Sequence, residues 1–323
     1  MDTMIRLVAT AICFSGVVFS ASAQDWPKRR NIEIILPSAA GSGPDATMRS
    51  YSERLSQNLG QVVFITNRAG GSGTIAASAA MRAEPDGYTF FLASSSQLIV
   101  NKYTIKNLNY DPDIDFKPVS LLNSAPYIVL TNSDTPFRNL DQLVNYAKAN
   151  PQKVFAAYEG ATAKAATLYL LNALGLTLTL VPYVNPNQAM QDLMAGNVQI
   201  HLQGTALGLP FVKDGRLPAL AVTGAARFPS LPDVPTVSET YPAFDGFGSW
   251  VMLLAPARTP DEIVLRMSQE IGKIAKLPEI QQLFDNLGII ASDDTSPAAA
   301  VAFLRAQNEQ FARMARIADL KAE

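Results

Sequence analysis

The sequence is poor in the side chains that most often carry out chemistry. Its 323 residues hold one cysteine and one histidine. That pair cannot assemble a zinc site, and a Ser-His-Asp triad would have to be built on His201 alone. No Gly-x-Ser-x-Gly elbow is present. His201 stands in the apolar stretch Val198-Gln199-Ile200-His201-Leu202, the setting of a core or lining residue rather than a general base. Basic excess is missing too. Lys and Arg number 26 against 28 Asp and Glu, and a net charge of −2 cannot neutralise a phosphate backbone, so no nucleic-acid partner is expected. Disorder is excluded as well, because 48% of the residues are hydrophobic and only 17% charged.

What is present begins with an export signal. Arg6 precedes an apolar run over residues 7–19, and Ala21-Ser22-Ala23 then forms a small-x-small cleavage site before Gln24. The run is too short to cross a bilayer comfortably, since about 20 apolar residues are needed. Residues 1–23 are therefore expected to be a cleaved Sec signal peptide, and the mature chain to be periplasmic. Cys13 falls inside that run, and Thr10-Ala11-Ile12 before it is a poor lipoprotein box. The exported chain would then carry no thiol, leaving its stability to its apolar cores.

After Gln24, short apolar runs alternate with amphipathic segments, the pattern of an α/β fold. Strands are expected over 31–36, 62–66 and 88–93, with helices over 45–59 and 72–82. A polar connection at 111–117 opens a second unit. Its strands are expected at 127–131, 154–157, 179–182, 198–202 and 220–223, and its helices over 139–149, 162–174 and 188–195. A proline-rich stretch at 228–242 breaks the alternation. A strand at 250–254 and two long helices, 260–277 and 297–317, close the chain. Two strand-helix units followed by a return to helices suggest a discontinuous first domain with the second inserted into it.

Two glycine-rich loops each follow a strand and open a helix. In Pro37-Ser38-Ala39-Ala40-Gly41-Ser42-Gly43-Pro44-Asp45, the free amides and dipole of a helix start would hold an anion without a basic side chain, although an ordinary capped turn reads the same way. The second loop contains Gly71-x-Gly73-x-x-Ala76, close to a dinucleotide fingerprint. The next strand ends in Ser94-Ser95-Ser96 and offers no carboxylate for a ribose, which argues against a nucleotide. Tyr158-Glu159-Gly160-Ala161-Thr162 and Gln203-Gly204-Thr205 are matching strand ends in the second unit. Together these segments suggest two sets of strand ends facing one cleft.

The segments and their order resemble the Bug receptors, the substrate-binding proteins of tripartite tricarboxylate transporters. The resemblance rests on Pro37, Gly41 and Asp45; on Asn67-Arg68-x-Gly70-x-x-Gly73; on Pro85-Asp86-Gly87-Tyr88-Thr89; and on Phe116-x-Pro118-Val119-Ser120. Val181-Pro182-Tyr183, Ala219-Leu220-Ala221-Val222-Thr223-Gly224 and Leu231-Pro232-Asp233-Val234-Pro235-Thr236 complete the set.

The resemblance implies a type II periplasmic-binding-protein fold, two α/β domains around a ligand cleft joined by a two-segment hinge. Domain 1 would comprise 24–124 and 249–323, and domain 2 would comprise 125–248, with the hinge near 123–125 and 246–250. It implies a carboxylate ligand held by Ser38, Ala39, Gly43, Asp45, Ser94 and Ser95 from the first domain. Gly160, Ala161, Thr162, Asn185, Gln203 and Thr205 would hold it from the second. No cofactor, metal or catalytic residue is expected, and the partners would be membrane transporter subunits met by a monomeric receptor. A periplasmic sensor without a transport role, and an enzyme acting on carboxylate esters, are the alternatives.

Several positions depart from the family pattern. Ser38 replaces an aromatic, Lys164 a frequent histidine, and Glu159 and Ala161 stand where neutral polar and hydroxyl residues are common. Val184-Asn185-Pro186-Asn187 replaces a loop that usually begins Lys-Gly. Gln203 stands where an aspartate often anchors a ligand amine, which favours an amine-free carboxylate, aliphatic or aromatic. Glu159 would work against that preference if it faced the cleft.

Overall fold

The computed structural model describes residues 26–322, so the expected signal peptide lies outside the described residues. The chain runs β1 (Ile32–Leu36), α1 (Gly43–Leu59), β2 (Val63–Asn67), a 3-10 turn (Gly71–Gly73), α2 (Thr74–Met81) and β3 (Thr89–Ser94). A π turn (Ser96–Val100) and the short α3 (Asn101–Thr104) lead to β4 (Phe116–Thr131). Then come α4 (Leu140–Ala149), β5 (Phe155–Glu159), α5 (Gly160–Ala173), β6 (Thr179–Tyr183), α6 (Pro186–Met194), β7 (Ile200–Gly204), α7 (Thr205–Lys213) and β8 (Ala219–Val222). The chain closes with α8 (Val237–Thr240), β9 (Gly248–Pro256), α9 (Asp261–Ala275), α10 (Pro278–Leu287), β10 (Ile290–Ala291) and α11 (Pro297–Ile317).

Local chemistry explains where these elements start and stop. In β1 the side chains alternate, so Ile32, Ile34 and Leu36 enter one core while Ile35 enters another. Helix α1 buries Met48, Tyr51, Leu55 and Leu59 at helical spacing and ends on Gly60 in the left-handed conformation. Asn139 caps α4 by accepting from the Gln142 amide, and Ser296 caps α11 from Ala299. Each such cap stabilises its helix by about 1 kcal/mol.

The strands form one continuous sheet in the order β2-β1-β3-β9-β4-β7-β5-β6, with β8 and β10 also paired to β4. Strand β4 belongs to both halves. Its residues from Phe116 to Pro126 pair with β9, and those from Tyr127 to Thr131 pair with β7. The pairing directions then decide how the halves meet. β1 and β2 run parallel to β3, which is antiparallel to β9, itself antiparallel to β4, so the first-half strands run with β4 toward the second half. β7 is antiparallel to β4, and β5 and β6 run parallel to β7, so they run back toward the first half. The carboxyl ends of the two parallel sets therefore point at one another, the position at which open α/β sheets collect ligands.

The strand expected at 127–131 is thus the last five residues of a 16-residue strand. Pro118 and Pro126 disguised its first half, because proline cannot donate to a ladder. Register shifts between Pro118 and Ser120, and again between Leu121 and Asn123, absorb the disruption as bulges. Helix α7 was hidden by Gly208 and an internal Pro210, and α10 by having only Ile280 and Phe284 buried.

Where β4 and β9 cross between the halves, backbone approaches backbone. A Cβ on Gly248 would lie 2.3 Å from the Ala125 carbonyl oxygen, and Gly246 sits at φ +65° with Thr223 O 3.1 Å from its would-be Cβ. Side chains from both halves brace this crossing. The Asp245 carboxylate accepts from Tyr169 on α5 and Arg313 on α11, Gln310 donates to the Gly246 carbonyl, and Trp250 Nε1 donates to Gln307 at 3.0 Å.

Candidate functional site

The first-half wall is built on two braced loops. In the Pro37–Asp45 loop, Gly41 takes φ +81°, a left-handed conformation that favours glycine. Its amide donates to Asp45 Oδ2 at 2.8 Å. Asp45 is 1% exposed and also accepts from Arg49 Nε at 2.8 Å and Asn67 Nδ2 at 3.0 Å. Burial alone would raise its pKa, but the Arg49 guanidinium and the Gly41 and Asn67 donors outweigh it and lower the carboxyl to about 2. Asn67 Nδ2 also reaches the Ser38 carbonyl at 3.0 Å, and Ser42 donates to the Ser38 hydroxyl at 2.9 Å. No side chain caps α1.

The second loop is held by an amide pair. Ser72 is left-handed at φ 53°, and its carbonyl accepts from Gln97 Nε2 and Asn101 Nδ2, each at 3.1 Å. Gly73 lets Gln97 come this close, because a Cβ there would meet Gln97 Nε2 at 2.4 Å. Gln97 Oε1 accepts from the Ser94 amide at 3.1 Å and the Ser94 hydroxyl at 3.0 Å. The Gly71-x-Gly73-x-x-Ala76 stretch is thus filled by the protein's own glutamine.

The second-half wall is less complete. Strand β5 ends at Glu159, Gly160 turns at φ +64°, and α5 begins with no side-chain cap. Its first-turn amides and the positive end of a 14-residue helix are left to whatever occupies the gap. Ala161 and Thr162 meet Pro37, Gly73, Ser96 and Gln97 around a cavity of about 500 Å³. Thr162 also reaches a small adjoining cavity of about 30 Å³ with Ser95, Tyr127 and Trp250.

On the face of the second-half strands that α6 and α7 cover lies a group of incompletely bonded polar atoms. His201 Nε2 is 2.8 Å from Glu159 Oε1, within ion-pair reach yet not aligned for a ring N–H bond. Neither of those atoms, nor His201 Nδ1, nor Gln203 Nε2, has a formed hydrogen bond among the described residues. Burial pushes the nearby Tyr127 hydroxyl up, and the Glu159 charge adds to that.

The twelve expected ligand residues therefore divide. Ala161, Thr162 and Ser95 line the two cavities. Gly160 forms the bend beneath them, and Ala39 and Gly43 are exposed in the first loop. The remaining six side chains are engaged internally. Ser38 and Asp45 brace the first loop, and Ser94 is tied to Gln97. Asn185 caps α6 at 2.9 Å, Gln203 accepts from the Gly204 amide at 2.7 Å, and Thr205 donates to the Gly288 carbonyl across the gap. Gln97 and Tyr127 were missed. Gln97 directly follows the serine triplet, which was the available signal.

A second cavity, of about 470 Å³, lies against the strand crossing and is lined by Ala125, Asp245, Gly248 and Arg313. It holds none of the expected residues. The cavity at α5 combines strand ends from both halves with an uncapped helix start, which makes it the candidate ligand site. Among the described residues no group of three or more His, Cys, Asp or Glu could hold a metal, and no helix is long and apolar enough to cross a membrane.

Two α/β halves joined through crossing strands, with opposed strand ends around a gap, define a solute-binding protein of the type II periplasmic fold. The solved periplasmic binding protein BugD shares this architecture, with a TM-score of 0.71 and 30% identity over 91% of this chain and 99% of that one. The chain belongs to the receptors of the tripartite tricarboxylate transporter family, whose model matches residues 47–319. A UPF0065 protein of Bordetella bronchiseptica is 34% identical over 317 residues, covering 98% of this chain and 93% of that protein. An R. palustris protein solved with adipate has a TM-score of 0.75 and 27% identity over 93% of this chain and 100% of that one. Membership makes the chain a solute receptor rather than an enzyme, as its residue inventory led us to expect.

Proposed function

We propose that this receptor is exported to the periplasm and closes its two lobes, 24–124 with 249–323 and 125–248, over a small amine-free carboxylate. A dicarboxylate or an aromatic carboxylate is favoured over an α-amino acid. One carboxylate would sit at the amides of Gly160, Ala161 and Thr162, with Ser95 and the Ala39–Gly43 turn closing on it from the first lobe. The monomeric closed form would then be recognised by membrane subunits of a tripartite transporter. The observation that carries this reading is the uncapped start of α5, whose residues share a cavity of about 500 Å³ with first-lobe loops. The adipate complex of a structurally similar R. palustris protein supports the ligand class.

Function follows from differential contacts. A guest touching both walls only when they meet shifts the population toward the closed form, by as much as its affinities for the two forms differ. The test is calorimetric titration with adipate, shorter dicarboxylates, benzoate, aspartate and glutamate. Binding of a dicarboxylate or an aromatic carboxylate in preference to the amino acids is expected. Tight binding of aspartate or glutamate alone would overturn the preference.

A further inference from the structure

We propose that Glu159 and His201 form a buried pair in the second-lobe wall, and that His201 is the positioning residue that draws the acid inward and so lets a dianionic guest bind beside it. This deepens the carboxylate reading and rests on it for the identity of the guest. The strand register places the pair. Ala157 lies opposite His201 in the parallel β5–β7 ladder. Residues alternate faces along a strand, so Glu159, His201 and Gln203 share one face at the carboxyl ends of the second-lobe strands. Glu159 is the last residue before the α5 amides, with its side chain 19% exposed, while His201 is fully buried.

An acid at that point opposes the function. A carboxylate beside an anion-binding helix start repels the guest that the helix dipole attracts, and repulsion between like charges in a partly dry wall costs affinity steeply. Among the described residues, His201 is the one basic group within ion-pair distance of Glu159. Its surroundings supply no other balance. β4 contributes Tyr127, whose hydroxyl is pushed up by burial and by Glu159 and so adds no positive charge. The helices packed on that face, α6 and α7, contribute Ala189, Met190 and Leu209 to its core. A buried imidazole with both nitrogens unbonded is costly, and a small turn of the Glu159 side chain would align a charge-assisted bond across the existing 2.8 Å. Glu159 is then drawn inward, away from the second carboxylate of the guest.

The chain contains one histidine, so an imidazole ¹⁵N spectrum reports this site without ambiguity. A ring hydrogen on Nε2 in the adipate-soaked, full-length mature protein is expected, since a bond to Glu159 needs it, and a neutral ring carrying its hydrogen on Nδ1 alone would overturn the proposal. Calorimetry supplies the second arm, with adipate as the dianion and hexanoate as a monoanion of the same length. His201→Gln should weaken adipate binding by about tenfold or more and leave hexanoate little changed. Adding Glu159→Gln to it should restore adipate to within about threefold of the parent. Equal losses for both ligands with no recovery in the double variant would mark a merely structural histidine and overturn the idea. If the parent protein binds no carboxylate, the ligand reading fails, and the nitrogen spectrum still decides whether His201 bonds Glu159.

Discussion

The two walls of the cleft are finished to different degrees. On the first lobe, the loop side chains tie one another down. Asp45 ties Gly41, Asn67 and Arg49 together, and Gln97 ties Ser94 to Ser72. On the second lobe, Glu159 Oε1, both His201 nitrogens and Gln203 Nε2 lack formed hydrogen bonds, while α5 starts as uncapped as α1 does. Buried polar groups are almost always bonded, so open positions of this kind mark where the second-lobe wall can still rearrange. The contrast suggests that the first lobe supplies a fixed surface and the second lobe supplies selection.

Substitutions can break that comparison. The largest effect is expected at Asp45. Replacing it with alanine strands the Gly41 and Asn67 donors and the Arg49 charge, and should cost about 3 kcal/mol of stability in urea unfolding. A loss below about 0.5 kcal/mol would show that the first loop is not braced as described. The same carboxylate sets an acid limit. Its folded pKa of about 2 lies below the ordinary 3.8, so its contribution is fully present above that ordinary value and is lost as pH falls toward 2. Asp45→Asn should flatten this part of the stability–pH curve.

Gly73→Ala comes next. Its φ of +86° and the 2.4 Å approach of Gln97 leave no room for a Cβ, and a cost of about 1–2 kcal/mol is expected by thermal unfolding. Thr162→Ala sharpens the contrast from the other side. The Thr162 hydroxyl makes no hydrogen bond among the described residues and lines both cavities. Stability should stay within about 0.5 kcal/mol of the parent while adipate affinity falls about tenfold. A stability loss without an affinity loss would move Thr162 from the selecting wall to the scaffold.

Much of this architecture was legible in the sequence, and the failures have physical causes. Apolar runs and helical spacing located β1, α1, β3, α4, α9 and α11 within a few residues, because the strands are buried on both faces and each helix buries one regular apolar face. Strand β4 was half hidden because Pro118 and Pro126 are tolerated through bulges that no local pattern announces. The loops at 37–45 and 158–162 were readable as helix starts, since glycine before a helix is a backbone requirement. What could not be read was which side chains remain free. Asp45, Ser94 and Thr205 are expected as ligand contacts from the resemblance, and in the structure Arg49, Gln97 and Gly288 engage them. Whether Glu159 faces the cleft was open for the same reason, because its neighbour His201 is 42 positions away and meets it only through the β5–β7 ladder.

The most direct test is a crystal structure of the mature protein grown with adipate. The account predicts one ligand carboxylate against the amides of Ala161 and Thr162, with first-lobe atoms near Ser95 touching the same molecule. Adipate seated instead in the cavity beside Ala125 and Arg313, or bound to one lobe alone, would contradict it.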